Sequence, residues 1–370
     1  DPARTSAGEE VILRPNGGGI GLLTTTRLAY ANFNETLNRN FYQNVFVRDS
    51  ITKLYPRVGD VCTITKNKTA SVSSGTSNHR NFSLLCDPAV RLNFPDYKVY
   101  TQTINNQPVT LLGDTMNSLS KITITGYIAN LSGTKLTSYN GIIFPTVFDK
   151  ETKLKTLAND PQLSSVQNFK MRKSIIYRGK ASVTNGEFSF SFVVPKDIDY
   201  AFGIGRISYY AADGVYDANG YNESFVVGGI NPNAPTDGDG PKIDLFMNDN
   251  KFVAGSITNE NPDLLGVLFD DNGINTVGNG IGHDLVAVLD ENTEKSIVLN
   301  DYYQSDLNSY QSGIVRYPFS KLSAGRHTLT LRAWDVYNNS NTANTDFVVT
   351  TSANLALEHV LNYPNPFTTY

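Results

Sequence analysis

The period of the apolar positions changes once along the chain. In the first ninety residues they form two short runs and two helical stripes. Residues 20–23 are an apolar run with glycines before it and threonines after it. Such a run reads as a buried strand of a parallel sheet, here spanning about 19–26. Leu37, Phe41 and Val45 recur at helical spacing, and Asn32 or Asn34 stands where a capping residue is expected. A second helix is expected over about 58–66, and residues 82–85 form a second buried apolar run. Strand, helix, helix, strand is the closing part of an α/β layered domain, here residues 1–94.

From about Pro95 the period is two. Residues 121–128, 186–194, 205–211 and 223–228 carry short strand patterns separated by Gly, Asn and Asp turns. They predict a mainly antiparallel β-sandwich over 95–230. Residues 231–241 hold no apolar side chain larger than Ala or Pro and read as a linker. A second, immunoglobulin-like sandwich is expected over 242–352. Its anchors are residues 242–247, 264–269, 284–289 and 325–335, with Leu329, Leu331 and Ala333 on one face. The expected fold is therefore mixed, one α/β part followed by two β-sandwiches.

Composition narrows the function. The chain has 370 residues, 40% hydrophobic and 18% charged, enough for two or three packed cores. A net charge of −4 argues against a nucleic-acid partner, which needs a basic face. No apolar run approaches the ~18 residues of a helical membrane span. Twenty Tyr, 19 Phe and 29 Gly suit a β-rich extracytoplasmic protein. Two Cys and four His leave little for a zinc cluster and exclude a disulfide scaffold. One acidic loop has chemistry to offer. Asp270, Asp271, Asn272 and Asn275 place oxygen donors around Gly273 in a way that suits Ca2+, though not with EF-hand spacing. The same residues also suit a hairpin turn whose Asp and Asn satisfy their own backbone. Residues 237–240, Asp-Gly-Asp-Gly, read as plain linker.

Several separated stretches, taken in order, carry a resemblance. Residues 1–9 with 17–27 resemble the segment just after the nucleophile of gingipain-type cysteine peptidases. Residues 82–92, Phe-Ser-Leu-Leu-Cys-Asp-Pro-Ala-Val-Arg-Leu, resemble the end of that catalytic domain, where the usual string is Leu-Gly-Asp-Pro-Ala-Leu-Arg-Leu. The 280–285 loop and the 334–340 stretch are similar to one branch of the family, the sortase of the type IX secretion system. Asn362-Tyr363-Pro364-Asn365-Pro366-Phe367 resembles the opening of a C-terminal type IX sorting domain, starting at about 353.

The resemblance implies a caspase-like α/β domain and a Cys–His dyad, with no cofactor required. It implies a cell-surface enzyme that removes sorting domains from cargo and attaches the cargo to lipopolysaccharide. Its implied partners are an outer-membrane β-barrel shuttle protein, the cargo sorting domains and the lipopolysaccharide acceptor. Both ends of the chain look cut. The dyad is expected upstream, so no catalytic residue is assigned here and the segment is expected to be inactive alone. Thr25, Thr26 and Arg27 would line the cleft, at the carboxyl end of the first strand; alternatively Arg27 pairs with a carboxylate there. Cys62 and Cys86 both stand where the family pattern has something else, which implies one paired change and a Cys62–Cys86 disulfide. The rival reading is a non-catalytic surface adhesin exported as type IX cargo. Such an adhesin has no reason to carry a peptidase-like strand and helix in its first ninety residues.

Overall fold

The computed structural model describes residues 5–15, 17–72, 77–109, 114–160, 164–276 and 282–350. The expected start of the sorting domain, 353–370, lies outside the described residues. The chain divides into two units, Asp1–Phe94 and Pro95–Tyr370.

In the first unit, Ser6 caps helix Ala7–Leu13 through a reciprocal capping box with Glu9. Strand Leu22–Thr25, helices Ala31–Val45 and Val58–Val72, and strand Phe82–Leu85 follow. The two strands pair antiparallel, Leu22 opposite Leu85 and Thr25 opposite Phe82, so the expected parallel sheet is corrected. The long connection holds two helices and a 3-10 turn, so the chain is free to re-enter the sheet in the opposite sense. The first strand is also only partly buried, and Ile20, from the expected buried run, lies before it and is 76% exposed.

Neither expected asparagine caps the 31–45 helix. Its N-cap is Tyr30, whose N–H donates to Asn78 Oδ1 at 2.8 Å, and Asn78 in turn donates to Asn34 Oδ1 at 3.0 Å. The next helix runs six residues past the expected Lys66 because its later inward positions are polar. Buried Thr69 accepts from Asn40 Nδ2 at 3.0 Å and donates to Thr65 O at 2.8 Å. Thr69 thus satisfies its hydroxyl locally and faces inward without an apolar side chain, whereas the buried Thr65 hydroxyl finds no partner among the described residues. No helix among the described residues is long and apolar enough to cross a membrane.

The second unit opens with a barrel where an open sandwich was expected. Strand Gly141–Phe148 pairs along one edge with Ala181–Thr184 and along the other with Arg206–Ala212. The circuit runs on through Asp217–Asn222, Tyr97–Ile104, Lys121–Ala129 and Glu187–Val193 back to Ala181–Thr184. Those seven strands close on themselves, which removes the free edges an open sheet must protect. All neighbours are antiparallel except Asp217–Asn222 with Tyr97–Ile104. Alternation supplies the core. Ile122, Ile124 and Ile128 point inward from one strand, and Phe188, Phe190 and Phe192 from the next. Gly126 sits between them because a Cβ there would lie 2.3 Å from Tyr100 O and 2.4 Å from the Phe188 ring.

Residues 242–349 form two facing sheets. Lys242–Met247, Asp263–Phe269, Ser312–Pro318 and Tyr303–Ser305 make one. Ile257–Thr258, Ser340–Val349, Gly325–Trp334, Val286–Leu289 and Ile297–Val298 make the other. Leu264, Leu268, Leu329, Leu331, Ala333 and Phe347 fill the space between them. Barrel and sandwich touch through Val193, Val336 and Tyr337. Across the same junction Lys196 N donates to Val336 O at 2.8 Å and Asn308 N to Lys180 O at 3.0 Å.

Candidate functional site

Two places hold the residues that the sequence singled out. The first is the end of strand Leu22–Thr25. Thr25 Oγ1 is bonded to Arg27 O and accepts from Arg27 N at 3.2 Å. Thr26 Oγ1 donates to Asn81 O at 2.9 Å. Both hydroxyls are thus engaged in fixing the turn. Arg27 is exposed and makes no ion pair among the described residues. The alternative that pairs it with a carboxylate at the sheet end is not what the structure has.

Both cysteines are free thiols, Cys62 buried and Cys86 half-buried. The expected disulfide is absent. Cys86 lies against Gly21 instead, whose absent Cβ would stand 2.9 Å from its Sγ. Burial pushes the Cys62 thiol up and Lys66 offsets part of this. Burial, then Asp87, push Cys86 up. Each raised thiol is poor in thiolate, the reactive form. No histidine hydrogen-bonds either sulfur among the described residues. Neither thiol has a histidine beside it to activate it among the described residues.

The second place is the acidic loop. Asp270 is buried, and its Oδ1 accepts from Asn272 N at 2.8 Å and Gly273 N at 3.0 Å. Asn275 is buried and Asp271 is exposed. The carboxylates that converge are a different set: Asp237, Asp270 and Asp335, with one ligand oxygen of each within 4.8 Å of the others. Sequence reading took Asp237 for linker and Asp335 for part of a motif. The signal it lacked is topological. Ile274 and Asp335 form an isolated bridge, which lays the loop beside the end of strand Gly325–Trp334. Asn272 Nδ2 donates to Asp237 Oδ2 at 2.8 Å and Asn339 Nδ2 donates to Asp237 O at 3.3 Å, tying down the linker.

Three clustered carboxylates do not all ionise freely. Burial pushes Asp335 up to about 7, against hydrogen bonds from Asn339, with Asp270 and Asp237 adding to the rise. Burial also pushes Asp270 up, against bonds from Asn272 and Gly273. At Asp237 burial works the same way, yet hydrogen bonds from Asp239 N–H, Asn272 and Asp335 outweigh it and hold the carboxyl low. Below about pH 7 the cluster therefore keeps a proton on Asp335, beside an Asp237 carboxyl held low. A hard divalent cation with oxygen ligands could take the place of that proton.

Residues 1–93 match the model of peptidase family C25, the gingipain family. The chain is similar to dimeric latent PorU from Porphyromonas gingivalis, at 29% identity over 90% of this chain and 31% of that chain, with a TM-score of 0.47. It therefore spans less than a third of that protein. Fibronectin(III)-like modules of Clostridium thermocellum CbhA match at 11% identity over 70% of this chain and 98% of theirs, with a TM-score of 0.21. No curated protein matches.

Proposed function

We propose that this chain is the C-terminal part of a cell-surface, gingipain-like cysteine peptidase acting as a sortase of type IX secretion. The parent protein would remove C-terminal sorting domains from cargo and attach the cargo to lipopolysaccharide, docked on an outer-membrane β-barrel shuttle. The observation that carries this reading is the match of residues 1–93 to the peptidase family. It weighs against the adhesin alternative, which has no use for a peptidase segment. Within this reading the first unit supports a catalytic domain whose nucleophile and base lie elsewhere, and Arg27 faces its cleft. The barrel and sandwich carry the domain on the cell surface. Asp237, Asp270 and Asp335 are the proposed Ca2+ ligands, Asp270 alone being shared with the loop set read from sequence.

A reporter protein ending in a type IX sorting domain tests this. The longer polypeptide that contains this segment is expected to cleave it, and a cysteine alkylating agent to stop the cleavage. Purified 1–370 alone is expected to leave the reporter intact. Failure of the longer protein to process the reporter would sink the sortase reading. Cleavage by 1–370, lost in Cys62→Ala or Cys86→Ala, would place the nucleophile in this chain after all.

A further inference from the structure

At one end of the barrel, Asp96, Tyr97, Asn130, Leu131, Ser132 and Tyr216 line an open cavity of about 490 Å³. Two of its lining residues are aromatic. The Tyr97 and Tyr216 rings lie 5.3 Å apart with 47° between their planes, and Tyr97 meets buried Tyr139 edge-on at 6.1 Å. The Tyr139 hydroxyl donates to Tyr216 O at 3.0 Å and fixes that turn from below. The surroundings are acidic. Burial pushes the Tyr97 phenol up, and Tyr216, Asp213 and Asp96 add to it; burial, then Asp213 and Asp217, do the same to Tyr139. Neither Asp213 nor Asp217 has a cationic partner among the described residues.

Both turns are held before any ligand arrives. Asp213 Oδ1 accepts from Val215 N at 2.8 Å and Tyr216 N at 2.6 Å. Asn130 Oδ1 accepts from Ser132 N at 3.0 Å, Thr134 N at 2.9 Å and the Ser132 hydroxyl at 2.7 Å. A ligand would find the walls already ordered, which avoids the entropic cost of arranging them. Tyr216 stays 47% exposed and Leu131 58% exposed. The electron-rich ring faces attract a cation, more so when carboxylates share the site. An anionic ligand would be repelled, and a neutral sugar could stack on the rings but would make no use of the charge.

We propose that this cavity receives the cationic end of a lysine or arginine side chain presented by a peptide partner. The ammonium or guanidinium lies over the Tyr97 and Tyr216 rings within the field of Asp96, Asp213 and Asp217. Its alkyl stem rests on Leu131. The site stands apart from the peptidase reading, since every residue in it belongs to the barrel.

The test is a nuclear magnetic resonance titration of isotope-labelled 1–370 with end-blocked Gly-Gly-Lys-Gly-Gly, its arginine counterpart, and the lysine peptide acetylated on Nζ. Either cationic peptide is expected to shift the amides of 96–97, 130–134 and 213–217, with binding that weakens several-fold as salt rises. The acetylated peptide keeps the shape and loses the charge, and is expected to leave the spectrum unchanged. Tyr216→Ala is expected to weaken binding about ten-fold. Asp213→Asn keeps the turn acceptor and is expected to weaken it about three-fold. Equal binding of the acetylated peptide would overturn the proposal. So would undiminished binding by both variants with otherwise native spectra, or no shift with either cationic peptide.

Discussion

The chain is expected to unfold at a lower temperature at about pH 8 than at about pH 5, and Asp335→Asn to remove most of that difference. Asp335 is fully buried, and its carboxyl is raised from 3.8 to about 7, burial being the largest cause. Between those values the folded chain keeps a proton that the unfolded chain releases. The stabilising contribution is therefore complete below 3.8 and falls away as pH rises towards 7. Each pH unit in that window costs about 1.4 kcal/mol for one proton, so the whole effect is on the order of a few kcal/mol. Asp270, also raised, acts in the same direction.

Asparagine is the neutral isostere of a protonated aspartate. At 335 it keeps one oxygen to accept from Tyr337 N and Asn339 N, but its amide replaces the Oδ2 that accepts from Asn339 Nδ2 at 2.9 Å, so that bond is lost at every pH and the variant is read by its pH slope, not by its absolute melting temperature. Some slope should survive from His327. Burial lowers its pKa, but bonds to Ser323 O and Asp290 outweigh this and raise it above 6.5. Its contribution is thus complete below 6.5 and lost as pH climbs past the raised value. Melting curves of wild type, Asp335→Asn and Asp335→Asn/His327→Gln across that range separate the two groups. An unchanged slope in Asp335→Asn would mean that the cluster does not hold the proton. Calcium provides the companion measurement. If it replaces the proton, it should raise the alkaline melting temperature of wild type and leave Asp270→Asn unmoved.

That cluster shows where the sequence stopped being informative. Oxygen donors around Gly273 were visible as a pattern, and Asp270 is the one of them that meets two further carboxylates. Its partners come from about thirty residues before and sixty-five after, and only the pairing of strands brings them together. Local structure was legible wherever one physical rule governed it. The alternation of residues 186–194 marked a strand, and Phe188, Phe190 and Phe192 on one of its faces lie in the barrel core; Leu329, Leu331 and Ala333 lie buried in the sandwich as their shared face implied. Long-range closure was not legible. A strand that pairs on both edges reads the same as one in an open sheet, because period two reports the faces of a strand and says nothing of its edges. The antiparallel pairing of the first unit escaped for a similar reason, and the polar inward face of helix Val58–Val72 hid its length.

Phe192→Ala is expected to have the largest effect of any single substitution in the barrel, about 3–5 kcal/mol by urea denaturation. Phe192 is 1% exposed and stacks on Tyr177, with ring centroids 4.7 Å apart and planes 8° from parallel. Tyr177 also stacks on Phe190 at 5.9 Å, so the truncation removes one rung of an aromatic ladder as well as filled volume. The void is hard to close. The neighbouring core positions Ile122, Ile124 and Val194 are themselves fully packed, and Gly179 already leaves the Tyr177 hydroxyl end the space a Cβ would take. Ser191→Ala, next along the same strand, removes only a half-buried hydroxyl bonded to Thr123 and is expected to cost under about 1 kcal/mol. The single tryptophan extends the test. Trp334 lies at the end of a sandwich strand, two residues from Val336, which joins Val193 of the barrel strand at the junction. Barrel and sandwich that unfold as one body will give a Trp334 fluorescence midpoint that falls with Phe192→Ala as far as the circular dichroism midpoint does. A Trp334 midpoint that stays put while the circular dichroism transition splits would show that the 231–241 segment joins two independent domains.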